Sequence, residues 1–186
     1  MASLDVNKQE KIEVLKAQLE NLTSDEGYFA SFESESESKA KQAVLNSLNY
    51  APRTRYELQQ KLEEKEFDQN IIEKVLDRFE EIKVIDDEDF AIKWVNSRSK
   101  TKKLASSALR RELHQKGVDS SYIESALSNL SYEEERATAE QLVEKRLERM
   151  DGLERQKKVR RLIGLLQRKG YSPDITFDVI NKAVQN

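Results

Sequence analysis

An internal repeat is the feature that most constrains what this chain can fold into. Two leucines four residues apart, followed three residues later by a lysine, occur three times, beginning at Leu58, Leu109 and Leu162. The offsets between copies are 51 and 53 residues, and most apolar positions downstream keep the same register. A period near 50 residues is typical of a tandem array in which each copy is one supersecondary unit. The chain is therefore predicted to contain three successive repeats.

The composition favours helices in every repeat. Five Gly and two Pro occur among 186 residues, and β-hairpin turns and phosphate-binding loops depend on such residues. Good helix formers such as Glu, Lys, Leu and Ala dominate instead. We therefore expect an all-α protein with three helices in each repeat. The predicted helices cover residues 39–49, 54–66, 69–82, 88–99, 104–116, 120–130, 133–149, 153–169 and 173–184.

The ends of the middle helices carry local signals. In the first repeat this helix opens with Thr54 and Glu57, which have the spacing of a capping box. In the second and third repeats it is followed by Gly117 and Gly170, where glycine favours the left-handed conformation that stops a helix. The first repeat has Glu66 at this position. The same helix stop is thus predicted from glycine in two of the three copies.

The N-terminal part of the chain differs from the repeats. Residues 5–22 have an apolar stripe of helical spacing, whereas residues 23–38 are rich in Ser and Glu and are predicted to form a flexible acidic linker. The stripe consists of Val6, Ile12, Leu15, Leu19 and Leu22. The predicted domains are an acidic extension over residues 1–38 and repeats over residues 39–84, 85–131 and 132–186. Because 37% of residues are apolar and 36% are charged, we expect an elongated array with small local cores.

Several classes of function have no support in the sequence. The chain has no cysteine, which excludes disulfides, thiolate catalysis and cysteine–zinc sites. Its one histidine, His114, is predicted to be exposed on a basic helix, without the acid and pocket that a nucleophile pair needs. We therefore predict no catalytic residue, no metal site and no cofactor. Neither a membrane span nor a signal peptide is recognisable, so a cytoplasmic protein is expected.

The charges are distributed unevenly although the net charge is only −3. Residues 63–89 contain twelve acids against four basic residues, and two later segments are strongly basic. Basic block one consists of Arg98, Lys100, Lys102, Lys103, Arg110, Arg111 and Lys116. Basic block two consists of Arg155, Lys157, Lys158, Arg160, Arg161, Arg168 and Lys169.

Two interpretations of the basic blocks remain open at this point. They are either contact surfaces for phosphate or an acidic protein, or ordinary solvated helix faces paired with nearby acids. In basic block two, Arg155, Lys158 and Arg161 recur every three residues and are expected to form one outward ridge. Together with all of basic block one, these three residues are the predicted partner- or DNA-binding candidates.

The aromatic residues are interpreted as core rather than as platforms for stacked bases. Five of them fall at positions that are apolar in the other repeats, namely Phe67, Phe79, Phe90, Trp94 and Tyr122. Tyr56, which directly follows Arg55 and lies three residues after Arg53, is the aromatic residue that best fits an exposed position among cations, although core is preferred there too.

Three segments carry a resemblance to a known family. They are Arg53-Thr54-Arg55-Tyr56-Glu57-Leu58, Ile85-Asp86-Asp87-x2-Phe90-Ala91-x2-Trp94-Val95-x2-Arg98 and Leu109-Arg110-Arg111-Glu112-Leu113-x2-Lys116-Gly117-Val118. On these motifs, residues 39–186 resemble the RecX family of bacterial regulatory proteins. Glu66 and Lys103 depart from the family pattern, because a glycine is usual at the first position and common at the second. The departures concern turn geometry more than function.

The resemblance implies a fold and a function. The implied fold is a curved row of three-helix repeats, and the implied activity is modulation, mainly inhibition, of the RecA recombinase. The resemblance also implies that the protein binds the RecA–DNA filament and so regulates recombination and DNA repair. The alternative is a helical module that binds single- or double-stranded DNA, independently of sequence, without RecA. A monomer with no membrane partner is expected in either case.

Overall fold

The computed structural model describes residues 34–185, and this part of the chain is helical with no strand. The predicted all-α class with three helices per repeat is confirmed. The stripe over residues 5–22 lies outside the described residues. The nine helices of the described part are α1 (Glu35–Tyr50), α2 (Arg55–Glu63), α3 (Gln69–Glu81), α4 (Asp87–Lys102), α5 (Ser106–Gln115), α6 (Ser120–Leu127), α7 (Tyr132–Leu147), α8 (Arg155–Lys169) and α9 (Pro173–Gln185).

The first helix begins earlier than predicted. α1 starts at Glu35 rather than at residue 39, so the end of the predicted flexible linker is helical, and that part of the prediction is wrong. The Ser34 hydroxyl accepts a hydrogen bond from the Glu37 amide (3.2 Å) and caps the helix. The Glu37 carboxylate is largely buried and pairs with Lys74 at 2.8 Å. The Ser/Glu pattern therefore contains a helix start.

The middle helices stop as the glycines predict. Gly117 and Gly170 take left-handed backbone angles, with φ of 71° and 86°. Glu66 takes the same conformation with φ of 60°, although a side chain there costs about 1 kcal/mol. The stop is thus a property of the repeat rather than of glycine alone.

The chain divides into two compact units, whose described parts are residues 34–53 and 57–85 in the first, and residues 54–56 and 86–185 in the second. In the first unit α1, α2 and α3 surround one apolar core, in which Phe79 is the largest fully buried side chain. The core residues are Ala40, Val44, Leu58, Leu62, Ile72, Val75, Leu76, Phe79 and Ile85. The predicted domain boundaries stay predictions.

The second unit contains two apolar clusters. The first is formed by α4, α5 and α6 and includes Phe90, Leu109 and Ile123. The second is formed mainly by α7, α8 and α9, with Leu162 and Ile175 among its residues, and it also contains Ala105, which precedes α5. Each cluster is the core of one three-helix repeat, so the small local cores expected from the composition are present in the described residues.

The aromatic predictions hold in part. Phe79 and Phe90 are buried, whereas Phe67 and Trp94 are only partly buried against their clusters. Tyr122 is 39% exposed, so its assignment to the core is wrong. α6 is a short helix whose buried face is taken by Ile123, Ala126 and Leu127, and Tyr122 precedes that face. Tyr56 is 45% exposed, and the preference for core at that position is also wrong.

Candidate partner-binding surface

Two cations of basic block one stack on the single tryptophan. The Arg98 guanidinium carbon lies 4.1 Å from the centroid of the Trp94 ring, and the Lys116 ammonium nitrogen lies 4.5 Å from it. The indole N–H donates to Glu112 Oε2 at 2.8 Å, and this carboxylate oxygen is also 3.8 Å from Arg98 Nε. Cations over an indole face gain about 1 kcal/mol each. Arg98 and Lys116 therefore contribute to the fold of the repeat that holds α4 and α5.

A third cation of basic block one is held by an acid. Arg110 on α5 donates from Nε and Nη2 to the two carboxylate oxygens of Glu124 on α6, both at 2.8 Å. This two-pronged geometry is the most favourable one for a guanidinium and a carboxylate. The hydrogen bond raises the pKa of Arg110 and holds the pKa of Glu124 below its ordinary value. Arg110 is thus already paired within the molecule.

The other four members of basic block one remain available. Lys100, Lys102 and Arg111 are exposed, and Lys103 is partly exposed with a left-handed φ of 52°. No carboxylate of the described residues lies within 4.0 Å of their charged nitrogens. Their positive charge is therefore not offset by an ion pair among the described residues.

Basic block two lies along α8, whose buried face is formed by Leu162 and Leu166. Arg155 and Arg161 are exposed, Lys158 is partly exposed, and none has a described carboxylate within 4.0 Å. Within basic block two, the described ion pair is between Lys157 and Glu154, at 3.2 Å. The block is therefore largely unpaired, in contrast to Arg98 and Arg110.

The end of basic block two meets the middle of basic block one inside the second unit. The Lys169 ammonium, at the end of α8, donates to the carbonyl oxygen of Lys102 at 2.5 Å. The Tyr171 hydroxyl donates to the carbonyl oxygen of Lys103 at 3.1 Å, and the Ala105 amide donates to the carbonyl oxygen of Lys169 at 2.9 Å. Burial, and after it the charge of Lys102, lowers the pKa of Lys169. Unpaired positive charge is thus concentrated at this junction.

A glycine makes the junction possible. A Cβ atom on Gly170 would lie 2.3 Å from the backbone nitrogen of Ala108, at the start of α5. A contact this short with backbone atoms cannot be relieved by a side-chain rotation. The Ser106 amide near this point donates to Glu135 of α7 at 2.7 Å. α5 is therefore fixed on the last repeat by backbone contacts that Gly170 allows.

Contacts of the same kind occur at Thr54, Arg55 and Tyr56. Thr54 directly precedes α2, and the other two residues begin it. The Thr54 hydroxyl donates to the carbonyl oxygen of Lys116 at 2.6 Å, and the Arg55 amide donates to Asp87 at 2.9 Å. A Cβ atom on Gly117 would lie 2.3 Å from the Cβ and Cγ atoms of Tyr56. The sequence analysis treated Thr54 only as a helix cap and missed these contacts. The signal that could have revealed them is the glycine that follows the lysine of the motif in the second and third repeats.

The described residues provide no other chemistry of note. None of their helices is long and apolar enough to cross a membrane, and no cluster of three His, Asp or Glu side chains among them has the placement of a metal site. Exposed Lys and Arg without internal partners are suited to phosphates and carboxylates. Fold and surface define the class as a tandem three-helix repeat protein with unpaired cations in its second unit.

Comparison with known proteins assigns the family. Family models described as the first, second and third three-helix domains of RecX match residues 40–79, 86–127 and 133–183. The chain therefore belongs to the RecX family of regulatory proteins.

Individual relatives agree with this assignment. Over 147 residues the chain is 42% identical to regulatory protein RecX of Streptomyces coelicolor, covering 79% of this chain and 78% of that protein. It is 41% identical to that of Thermobifida fusca over the same length, covering 79% and 80%. The crystal structure of RecX from Lactobacillus salivarius superimposes with a TM-score of 0.73 at 25% identity, covering 82% of this chain and 99% of the other.

Proposed function

We propose that this chain binds the RecA filament on DNA and inhibits its ATPase and recombination activities, thereby regulating DNA repair in the cytoplasm. The observation that carries the proposal is the match of all three RecX domains along residues 40–183. A repeat array contacts a partner along its length, which suits a filament of identical subunits.

The contacts proposed for the filament are the unpaired cations of the second unit. They are Lys100, Lys102, Lys103, Arg111, Arg155, Lys158 and Arg161. Their proposed partners are DNA phosphates or acidic side chains of RecA. Arg98, Arg110 and Lys116, which the sequence placed in the same candidate set, are proposed to hold α4, α5 and α6 in place, because each has a partner within the fold.

The direct test is the ATPase rate of RecA on single-stranded DNA, measured with increasing amounts of this protein. The proposal expects the rate to fall as the protein approaches stoichiometry with RecA, and strand exchange to fall with it. Heat-denatured protein at the same concentrations is the control. An unchanged rate at stoichiometric amounts contradicts the proposal.

A second candidate function is DNA binding without RecA. The observation in its favour is the concentration of positive charge where Lys102, Lys103 and Lys169 meet. Because each neutralised phosphate releases counterions, a module with six to ten phosphate contacts loses about 10³- to 10⁵-fold in affinity between roughly 50 and 200 mM salt. A binding titration on DNA alone separates the candidates, since weak binding with little salt dependence favours the RecA filament as the main partner.

A further inference from the structure

The space between the first two helices of a repeat, called the corner below, is filled differently in the repeat of the first unit and in the repeat formed by α4, α5 and α6. In the second unit Trp94 fills it, between the buried residues Ala91 and Val95 of α4. In the first unit the equivalent residues of α1 are Ala40 and Val44, which are also buried. Ala43 therefore occupies the position that Trp94 has in α4. The large side chain that closes the corner in one unit is thus missing in the other.

The first unit has a groove at this corner. Its volume is about 580 Å³, and Ala43, Tyr50 and Phe67 form the apolar part of its wall. Tyr50 is 82% exposed, which is unusual for a large aromatic side chain. Lys61 and Lys65 line the groove as well, in the register that Glu112 and Lys116 have around Trp94. The groove therefore combines an apolar floor with a positive rim.

The charges on the rim have no described partner. Neither Lys61 nor Lys65 has a carboxylate of the described residues within 4.0 Å of its ammonium nitrogen. An occupant that fits this groove has an apolar stripe for Ala43, Tyr50 and Phe67, and carboxylates beside the stripe for the two lysines.

The N-terminal segment of this chain has that combination. Residues 5–22 have one apolar stripe of helical spacing, and they carry four carboxylates beside three lysines. The described chain begins at Ser34, directly before α1, which forms one side of the groove. The eleven residues from 23 to 33 can span about 36 Å when extended, whereas α1 with its 16 residues is about 24 Å long. The connection is therefore long enough for the segment to turn back along α1.

We propose that residues 5–22 occupy the groove between α1 and α2, with the stripe on Ala43, Tyr50 and Phe67 and the segment's carboxylates near Lys61 and Lys65. This contact gives the first unit the apolar cover that Trp94 gives the second. It also neutralises Lys61 and Lys65, so that they are not free to bind an anionic partner. The inference is independent of RecA, because it concerns only contacts within this chain.

The test uses the absence of cysteine from the chain. A single thiol is introduced by Ala43→Cys, and its reaction rate with a soluble thiol reagent is measured in the full chain. We expect the thiol to be protected, and the rate to rise about tenfold or more when Leu15→Asp and Leu19→Asp are added, because protection follows the population of the open state. Ala17→Asp, on the opposite face of the segment, is the matched control and is expected to leave the rate unchanged.

Two further measurements keep the test decisive. Ala40→Cys, at a fully buried position of the same helix, reports on general unfolding of the first unit and is expected to stay protected with or without the aspartates. The rate at Ala43→Cys is also measured at several protein concentrations. A rapid reaction in the otherwise unchanged chain, protection that survives both aspartates, or protection that depends on concentration overturns the proposal; the last result indicates a second copy in the groove.

Discussion

The two basic blocks have similar charge in the sequence and different surroundings in the structure. In basic block one, Arg98 and Lys116 lie over Trp94, and Arg110 is paired with Glu124. In basic block two, Arg155 and Arg161 extend from α8 without a described carboxylate within 4.0 Å. The difference arises because the Trp94 ring and the Glu124 carboxylate lie beside cations of basic block one. A run of positive charge therefore indicates a contact surface only where the fold leaves that charge unpaired.

The largest loss of stability is expected for Trp94→Ala. The substitution removes a partly buried indole and leaves Arg98, Lys116 and Glu112 without their shared partner. We expect the free energy of unfolding to fall by about 3 kcal/mol, measured by urea denaturation. Trp94→Phe keeps an aromatic face for the cations but removes the N–H that donates to Glu112. We expect its free energy of unfolding to fall by about 1 kcal/mol. Equal stability of Trp94→Ala and the unchanged protein contradicts the structural role of basic block one.

The next effect is expected where the two blocks meet, for Gly170→Ala. The added Cβ would lie 2.3 Å from the Ala108 nitrogen, at a φ of 86°. Overpacking together with left-handed strain predicts a loss of about 2–3 kcal/mol. Gly152→Ala is a matched control, because φ is 75° there and nothing lies within 4 Å of the added atom. Equal losses at the two glycines would show that α5 and α8 are not in close contact.

A smaller effect, seen in a titration rather than in stability, is expected for Arg110→Ala. The hydrogen bond from Arg110 holds the pKa of Glu124 below its ordinary value, so that the substitution should raise this pKa. The pKa of Glu124 is lowered only in the folded state, so the ion pair stabilises the fold at pH values above the ordinary pKa of a glutamate. This contribution disappears as the pH falls through the pKa that Glu124 has in the folded protein. An NMR titration of the Glu124 carboxyl carbon measures the shift. Arg111→Ala is the control, and an equal shift there contradicts the assigned pairing.

The smallest effect on stability is expected in basic block two. Arg155→Glu together with Arg161→Glu changes two exposed side chains without described partners, so the free energy of unfolding should change by no more than about 0.5 kcal/mol. Urea denaturation measures this as well. A loss comparable to that of Trp94→Ala would mean that basic block two also has a structural role.

Much of the fold follows from periodicity alone. The repeated leucines predict the buried stripe of each middle helix, and Gly117 and Gly170 predict where two of these helices stop. The start of α1 at Glu35 was missed because a serine cap in a Ser/Glu-rich segment has the same composition as a linker. The position of Tyr122 was missed because the apolar positions of a short helix do not show which of them the neighbouring helices cover.

The candidate surface was less predictable than the fold. The sequence predicts ten candidate cations as one set, and it does not separate Arg110 from Arg111, which are adjacent on α5. Their difference depends on Glu124, which lies across a turn on α6. Likewise, the hydrogen bond from Thr54 to the Lys116 carbonyl joins residues far apart in sequence. Such contacts are set by the packing of whole helices, and no local pattern encodes them.

The central proposal is that this member of the RecX family inhibits the RecA filament through the unpaired cations of its second unit. Its most direct test is inhibition of the RecA ATPase by the unchanged protein, by Arg155→Glu with Arg161→Glu, and by Lys61→Glu with Lys65→Glu, which makes the same charge change in the first unit. The account predicts that the first pair weakens inhibition at least about tenfold, as the loss of two charged contacts implies, while the second pair inhibits like the unchanged protein. Undiminished inhibition by Arg155→Glu with Arg161→Glu, with its fold intact, would contradict it.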